Sequence, residues 1–239
     1  MAGIGPGGLP QMTMEAAEAL KQADVIIGYT VYVDLVRDLF PGKEYITTPM
    51  RKEEERCVLA FQKASEGRTT VMVCSGDAGV YGMAGLILRT GMDYPDTEIR
   101  VIPGVTAALA GAAVLGAPLM HDFCVISLSD LMTPWEKIEK RLLMASEADF
   151  VIVLYNPASS RRKDYLLKAC ECMLKAKDPG TVCGTVRNIS RQGESFEIMT
   201  LEQLKQASVD MFTTVFIGNS QTRRLGTHMV TPRGYRNER

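Results

Sequence analysis

Short runs of apolar, often β-branched residues alternate with helical stretches along the whole chain, and this alternation limits the possible folds more than any other feature. The predicted strands are residues 25–28, 70–74, 99–102, 124–127, 150–154 and 214–217. Several of them are apolar at every position, which is typical of a sheet covered by helices on both faces. The pattern therefore predicts an α/β fold with largely parallel strand pairing.

Helical periodicity fills the segments between these strands. Thr13 is the predicted N-cap of the first helix, which places Ala16 and Leu20 on one apolar face. Gly67 is the predicted end of the second helix, because a glycine easily adopts the left-handed conformation that closes a helix. This second helix covers residues 53–66, and two further helices are predicted at residues 135–144 and 164–174.

The longest apolar run covers residues 105–120, and it is too short for a membrane span, which needs about 20 apolar residues. We interpret it as a buried helix that ends at a Gly-Ala-Pro break, residues 116–118. The break predicts two α/β domains of similar size. Their predicted bounds are 1–117 and 118–239, within a length of 239 residues.

Composition excludes several classes of function. The net charge of −1 provides no basic face for nucleic acid or an anionic membrane. Two histidines, and six cysteines without a C-x-x-C pair, predict no metal site. Such cysteines, with no recognisable signal peptide, indicate reduced thiols in a cytoplasmic protein.

The first chemical motif is the glycine-rich run over residues 3–8, which formally matches the dinucleotide fingerprint G-x-G-x-x-G. Pro6 has no N–H group to offer a pyrophosphate. The next helix starts near Thr13, too late to meet phosphates, and Gly28-Tyr29 stands at the strand end where the fingerprint expects an acidic residue. A dinucleotide site and a purely structural turn stay open, but a loop bordering another ligand is favoured.

Two further glycine turns follow predicted strands. Residues 75–82, Ser-Gly-Asp-Ala-Gly-Val-Tyr-Gly, place the Asp77 carboxylate among three glycines, where it can accept hydrogen bonds. Residues 102–108 repeat the arrangement, with Thr106 in the first turn of a helix. Because ligands bind at the carboxyl ends of strands in open α/β sheets, both turns predict a binding site.

Polar residues at strand ends mark the second half of the chain. They include His121 and Asp122, Ser127 and Ser129, and the sequence Tyr155-Asn156-Pro157. No Ser/His/Asp or Cys/His spacing predicts a nucleophile relay. Basic clusters occur at residues 161–163, 187 with 191, and 223–224; such clusters are either solvated faces or Arg forks for carboxylates.

These segments, taken in order, resemble the tetrapyrrole methylase family. The resemblance rests on the Gly-Pro-Gly loop, the Ser-Gly-Asp turn, the Pro-Gly-Val-Thr-Ala turn and the strand starting Thr213-Thr214-Val215, and it covers nearly the whole chain. Within the family, residues 80–84, 116–135 and 155–157 are most similar to the members that methylate C-17 of a corrin precursor and contract its ring.

The resemblance implies two α/β domains with a cofactor cleft between them, usually in a homodimer. It implies S-adenosylmethionine as methyl donor and precorrin-3B or cobalt-precorrin-3 as substrate in cobalamin biosynthesis. Carried over position by position, the cofactor residues are Pro6, Gly76, Asp77, Val80, Thr106, Ala107, Asn156, Asn188 and Thr214.

Ring contraction moves protons, so a general acid or base is expected, and His121 and Asp122 are the candidates. The carboxylate side arms of the substrate are expected to bind Arg161, Arg162, Arg187 or Arg191, with Ser127 and Ser129 as the alternative anchors. Two other functions stay open. One is a tetrapyrrole methylase acting at a different ring carbon, and the other is a non-catalytic protein that binds S-adenosylmethionine.

Overall fold

The computed structural model describes residues 1–159 and 162–235. The chain divides into two compact units, unit 1 over Met1–Ala107 and unit 2 over Ala108–Arg239. Each unit combines a sheet with helices, so the predicted α/β class is confirmed. Arg161, one of the predicted substrate residues, lies outside the described residues.

Unit 1 is built on a four-stranded parallel sheet in the order β1-β4-β2-β3. The central strands β2 and β4 are buried almost throughout, because helices cover both faces of the sheet. The elements are β1 (Ala2–Gly3), α1 (Met14–Gln22), β2 (Val25–Tyr29), α2 (Thr30–Arg37), β3 (Glu44–Thr48), α3 (Glu53–Ser65), β4 (Thr70–Cys74) and α4 (Ala84–Thr90).

Local signals fix the helix ends of unit 1. The Thr13 Oγ1 atom accepts the N–H of Ala16 at 3.2 Å, so the predicted N-cap of α1 is confirmed. Gly67, just beyond α3, has a φ of +77°, as expected for a helix-terminating glycine. The predicted strand at 99–102 is wrong, because these residues form one isolated bridge, between Ile102 and Ala2. The neighbouring strand β1 is two residues long, which is too short to pair with a full strand.

Unit 2 contains a five-stranded sheet in the order β6-β7-β10-β8-β9 and a small sheet in the order β11-β12-β5. Its helices are α5 (Ala107–Leu115), which starts at the last residue of unit 1, α6 (Trp135–Glu147), α7 (Tyr165–Met173) and α8 (Leu201–Leu204). Its strands are β5 (Gly116–Ala117), β6 (Phe123–Ser127), β7 (Val151–Tyr155), β8 (Val182–Arg187), β9 (Ser195–Thr200), β10 (Thr213–Ile217), β11 (Arg223–Leu225) and β12 (His228–Val230).

Strand direction differs between the two units. In the five-stranded sheet only β6 and β7 pair in parallel, and every other pair is antiparallel. The prediction of largely parallel pairing therefore holds for unit 1 and is wrong for unit 2. The physical reason is that β8 and β9 are joined directly by the short loop 188–194, without the crossover helix that a parallel pair needs.

The division between the units falls after the first residue of α5, whereas the sequence placed the domain boundary after the whole helix. Gly111 of α5 lies against the side chains of Phe216 and Ile189, and Leu115 lies against Gly184. These contacts are with strands and loops of unit 2. Helix α5 therefore packs with the second sheet, and the predicted boundary at residue 117 lies at its far end.

Among the described helices, none is both long and apolar enough to cross a membrane.

Candidate active site

The three glycine turns of unit 1 meet at the carboxyl ends of its strands. A Cβ atom added to Gly104 would stand 2.1 Å from the Gly76 carbonyl oxygen and 2.7 Å from the carbonyl of Gly3. These are backbone atoms, so they cannot move aside as a flexible side chain could. A Cβ atom added to Gly3 would likewise stand 2.6 Å from the Gly76 carbonyl oxygen. Glycine at positions 3 and 104 therefore allows the three turns to approach.

The Asp77 side chain links two of these turns by hydrogen bonds. Its Oδ1 atom accepts the N–H of Gly79 at 2.7 Å, within the same loop. Its Oδ2 atom accepts the N–H of Gly104 at 2.9 Å, from the next turn along the chain. Bonds of a carboxylate to backbone N–H groups are strong, so Asp77 holds the shape of the site. Direct contact of Asp77 with a cofactor stays a prediction.

The first three N–H groups of the first glycine loop donate to other residues of the protein. Gly3 donates to the Ile102 carbonyl at 3.0 Å, Ile4 to the Cys74 carbonyl at 2.9 Å, and Gly5 to the Gly76 carbonyl at 3.1 Å. A pyrophosphate cradle needs such N–H groups directed at the ligand. The geometry therefore disfavours the dinucleotide site that the fingerprint left open, and the buried Pro6 adds no donor.

The other predicted cofactor residues of unit 1 border the same turns. The backbone of Thr106 and Ala107 lies 3.8 Å from the Cβ position of Gly76, whose φ is +65°. Val80, half-buried, donates its N–H to the Asp77 carbonyl at 3.4 Å. The structure thus brings Gly76, Asp77, Val80, Thr106 and Ala107 together, within one unit and at one edge of one sheet.

In unit 2, the carboxyl ends of β6 and β7 carry the predicted polar residues. The Asn156 side-chain amide donates to the Ser127 Oγ atom at 2.9 Å, and the Ser129 N–H donates to the same oxygen at 3.2 Å. Asn156 has a φ of +53°, a left-handed conformation that asparagine tolerates better than most residues. Ser127, Ser129 and Asn156 therefore form one hydrogen-bonded group.

Asn188 and Thr214 lie at the same edge of this sheet. Strand β10 runs antiparallel to β7 and β8, so it begins where they end; Val215 pairs with Leu154, and Thr213 pairs with Arg187. Asn188 follows β8, has a φ of +52°, and donates its N–H to the Phe212 carbonyl at 3.1 Å. The sequence could not show this arrangement, because it depends on the antiparallel direction of β10.

Tyr155 has a role that the sequence analysis missed. Its hydroxyl oxygen accepts the N–H of Ala108 at 2.7 Å, in the first turn of α5. The first N–H groups of a helix have no partner within the helix, so this hydroxyl caps α5. The signal in the sequence was the Tyr155-Asn156-Pro157 tripeptide, which identified the position but not its partner.

His121 and Asp122 do not join this group within unit 2. They precede β6, while Ser127 ends it, so the five-residue strand separates them by about 17 Å. The His121 Nδ1 atom lies 3.8 Å from the Asp122 carboxylate, and 48% and 83% of the two side chains are exposed. Their catalytic role stays a prediction, and the residues of the Ser127 edge do not support it.

The predicted arginines occupy different environments. The Arg162 side chain is only 14% exposed; its Nε atom donates to the Ser159 hydroxyl at 3.1 Å, and its Nη1 atom lies 3.6 Å from the Asp130 carboxylate. Arg187 is 51% exposed and pairs with Asp210 at 2.7 Å. Arg191 is half-buried just after Asn188. Arg162 is thus better positioned than Arg187 to hold a ligand in a fixed geometry.

The described part of the chain offers little support for a nucleophilic cysteine or for a metal site. Burial raises the pKa of the Cys170 thiol to about 12, and burial also raises the pKa of the Cys74 and Cys124 thiols. Such thiols stay protonated near neutral pH and are weak nucleophiles. No group of three His, Cys, Asp or Glu residues within 1–159 and 162–235 is placed to hold a metal ion.

Taken together, these features define a class of protein: a two-unit α/β chain with polar residues and glycine turns at the carboxyl ends of its strands, where small ligands bind. Residues 1–205 match the model of the family described as Tetrapyrrole (Corrin/Porphyrin) Methylases. The chain belongs to this family, so the resemblance recognised in the sequence is confirmed.

Similar proteins agree with this assignment. A probable cobalt-factor III C(17)-methyltransferase of Salmonella typhimurium is 47% identical over 234 residues, which is 98% of this chain and 97% of the relative. The crystal structure of the methyltransferase CobJ is 38% identical and covers 97% of this chain and 98% of its own, with a TM-score of 0.89. A uroporphyrin-III C-methyltransferase from Thermus thermophilus, complexed with S-adenosylhomocysteine, shares the fold at 21% identity, 91% and 95% coverage and a TM-score of 0.71.

Proposed function

We propose that this protein transfers a methyl group from S-adenosylmethionine to C-17 of a corrin precursor and contracts the macrocycle, as a cytoplasmic homodimer in cobalamin biosynthesis. The observation that carries the proposal is the 47% identity, over nearly the full length of both chains, to the C(17)-methyltransferase relative of Salmonella typhimurium. Cobalt-precorrin-3 and precorrin-3B are the proposed substrates.

The residues of the site fit the proposed cofactor. S-adenosylmethionine, when bound, supplies a methyl group that is bonded to a positively charged sulfur. An electron-rich ring carbon can attack this methyl group. The glycine turns of unit 1 pack backbone against backbone at the carboxyl ends of the strands, and Asp77 joins two of these turns. In the same unit Thr106 adds a hydroxyl that can bond the ribose, the base or the amino-acid end, and Asn156, Asn188 and Thr214 of unit 2 stay predicted cofactor residues.

In this proposal the chain contributes positioning more than covalent chemistry. Methyl transfer needs the donor and the attacking carbon aligned and shielded from water, and no nucleophilic side chain has to take part. This agrees with the protonated, buried cysteines and the absence of a Ser/His/Asp spacing. A proton must also leave or reach the ring during contraction, and His121 and Asp122 stay the candidates for that step.

Incubation with isotopically labelled S-adenosylmethionine and each candidate precursor tests the proposal directly. The expected product has gained one labelled methyl group, which nuclear magnetic resonance places on C-17 of a contracted ring. A methyl group on another carbon would instead support the alternative tetrapyrrole methylase. Binding of S-adenosylhomocysteine without turnover of any precursor would support the non-catalytic alternative, and light scattering tests the homodimer.

Arg162 is expected to anchor a carboxylate side arm of the substrate. Replacing it by Lys keeps the charge but removes the planar fork, so Arg162→Lys should raise the substrate KM about tenfold and leave cofactor affinity unchanged. Arg187→Lys is the matched control, because Arg187 is half-exposed and already paired with Asp210; its KM should stay within about twofold of wild type. Equal KM values for the two variants would contradict this role.

A further inference from the structure

Arg56 is a buried cation of unit 1 whose hydrogen-bond acceptors, within the part of the chain that the structure describes, are all neutral. Arg56 lies on α3, and only 3% of its surface is exposed. The Nε atom donates to the Thr48 hydroxyl at 2.8 Å, Nη2 to the Pro49 carbonyl at 3.1 Å, and Nη1 to the Met83 Sδ atom at 3.0 Å. Within residues 1–159 and 162–235, no carboxylate forms an ion pair with it.

The acidic residues nearest in sequence bind elsewhere. Glu53 accepts the N–H of Arg51, Glu54 pairs with Arg89 at 3.5 Å, and Glu55 pairs with Lys52 at 2.9 Å. Arg56 also lies in the first turns of α3, at the positive end of the helix dipole, which opposes a further positive charge. A buried arginine is normally paired with an anion, so this arrangement costs the folded protein stability.

Arg56 contacts the end of one strand and a loop that follows another, and this loop contains one of the glycine turns of the candidate site. Thr48 ends β3, and Met83 ends the loop that follows β4 and contains Asp77. The carboxyl ends of parallel strands meet at one edge of a sheet, so the contacts with Thr48 and Met83 place Arg56 at the same edge as the glycine turns. Among its three acceptors, the thioether of Met83 is the weakest, and it is part of a flexible side chain.

We propose that Arg56 binds a carboxylate of a ligand, which takes the place of the Met83 sulfur as the acceptor of the guanidinium N–H groups. A carboxylate would supply the opposite charge and could accept two parallel hydrogen bonds. The inference rests on the proposed function, since both the amino-acid end of S-adenosylmethionine and the side arms of a corrin precursor are carboxylates. Arg56 then belongs to the binding site rather than to the core alone.

Calorimetry with two nucleosides identifies the source of the carboxylate. S-adenosylhomocysteine has the amino-acid carboxylate, and 5′-methylthioadenosine lacks it. If the cofactor supplies the anion, Arg56→Met should weaken S-adenosylhomocysteine binding about tenfold or more and leave 5′-methylthioadenosine binding unchanged. If the substrate supplies it, both nucleosides should bind as in wild type and the substrate KM should rise about tenfold or more. Arg56→Lys should give a smaller loss in the same measurement.

Two results would overturn the inference. One is a folded Arg56→Met variant with wild-type nucleoside affinities and KM. The other is an equal loss of affinity for both nucleosides, which indicates that Arg56 only supports the loop. If the Arg56 variants do not fold, Met83→Leu decides, because it removes the acceptor that the ligand displaces. It should tighten binding of the carboxylate ligand about twofold or more, and unchanged or weaker binding rejects the proposal. Wild-type turnover, measured separately, tests the proposed function itself.

Discussion

Asp77→Asn is expected to lower the free energy of unfolding by about 1–3 kcal/mol, which corresponds to a fall of roughly 2–12 °C in the melting temperature. The wild-type carboxylate accepts the N–H of Gly79 and the N–H of Gly104 with its two oxygens. An asparagine amide has only one oxygen, so its NH2 group would face one of these N–H donors and leave it without an acceptor.

The same substitution should weaken S-adenosylhomocysteine binding about tenfold, because the two turns that Asp77 joins would no longer be held in a fixed geometry. Differential scanning calorimetry and binding calorimetry measure the two effects. Asp96→Asn, an exposed position of the same unit, is the matched control and should change neither. An Asp77→Asn variant that melts and binds like this control would show that Asp77 does not hold the turns together.

Gly104→Ala is expected to have the largest effect on stability, about 3 kcal/mol or more, or to prevent folding. The new methyl group would stand 2.1 Å from the Gly76 carbonyl oxygen and 2.7 Å from the Gly3 carbonyl. Since these neighbours are backbone atoms, relief requires the three turns to separate. The cofactor affinity of any folded fraction should therefore fall as well.

Gly85→Ala provides the control for this prediction. Gly85 lies in α4, and no atom that its new methyl group would meet lies within 4 Å. Alanine is the better helix former, so this variant should be unchanged or more stable by about 0.5–1 kcal/mol. Thermal melts of the two variants side by side give the measurement. Similar melting temperatures would mean that the turns approach less closely than the structure indicates.

Some parts of the fold could be predicted because their signal is local. The hydroxyl of Thr13 and the missing side chain of Gly67 act within one helical turn, so the ends of α1 and α3 follow from the sequence. The central strands β2, β4, β7 and β10 consist mostly of apolar residues, which indicates burial whatever their neighbours are.

Other parts could not be predicted because they depend on a distant partner. Strand β9 is largely exposed, and its strand conformation comes from hydrogen bonds to β8. Residues 99–102 have the composition of a strand but form only one bridge, since their neighbour β1 offers two residues. For β-structure, pairing decides more than propensity does.

For the candidate site, the sequence by itself determined the glycine turns, Asp77, and the polar residues around Ser127 and Asn156 at the ends of strands. Only the tertiary structure decided that the Asp77 oxygens bind two turns, that Tyr155 caps α5, and that Asn188 and Thr214 share an edge with Asn156. Only the structure also reveals Arg56 as a buried charge with neutral partners. The physical reason is that conformational preference acts between neighbours along the chain, whereas hydrogen-bond partners, burial and charge balance arise between residues that only folding brings together.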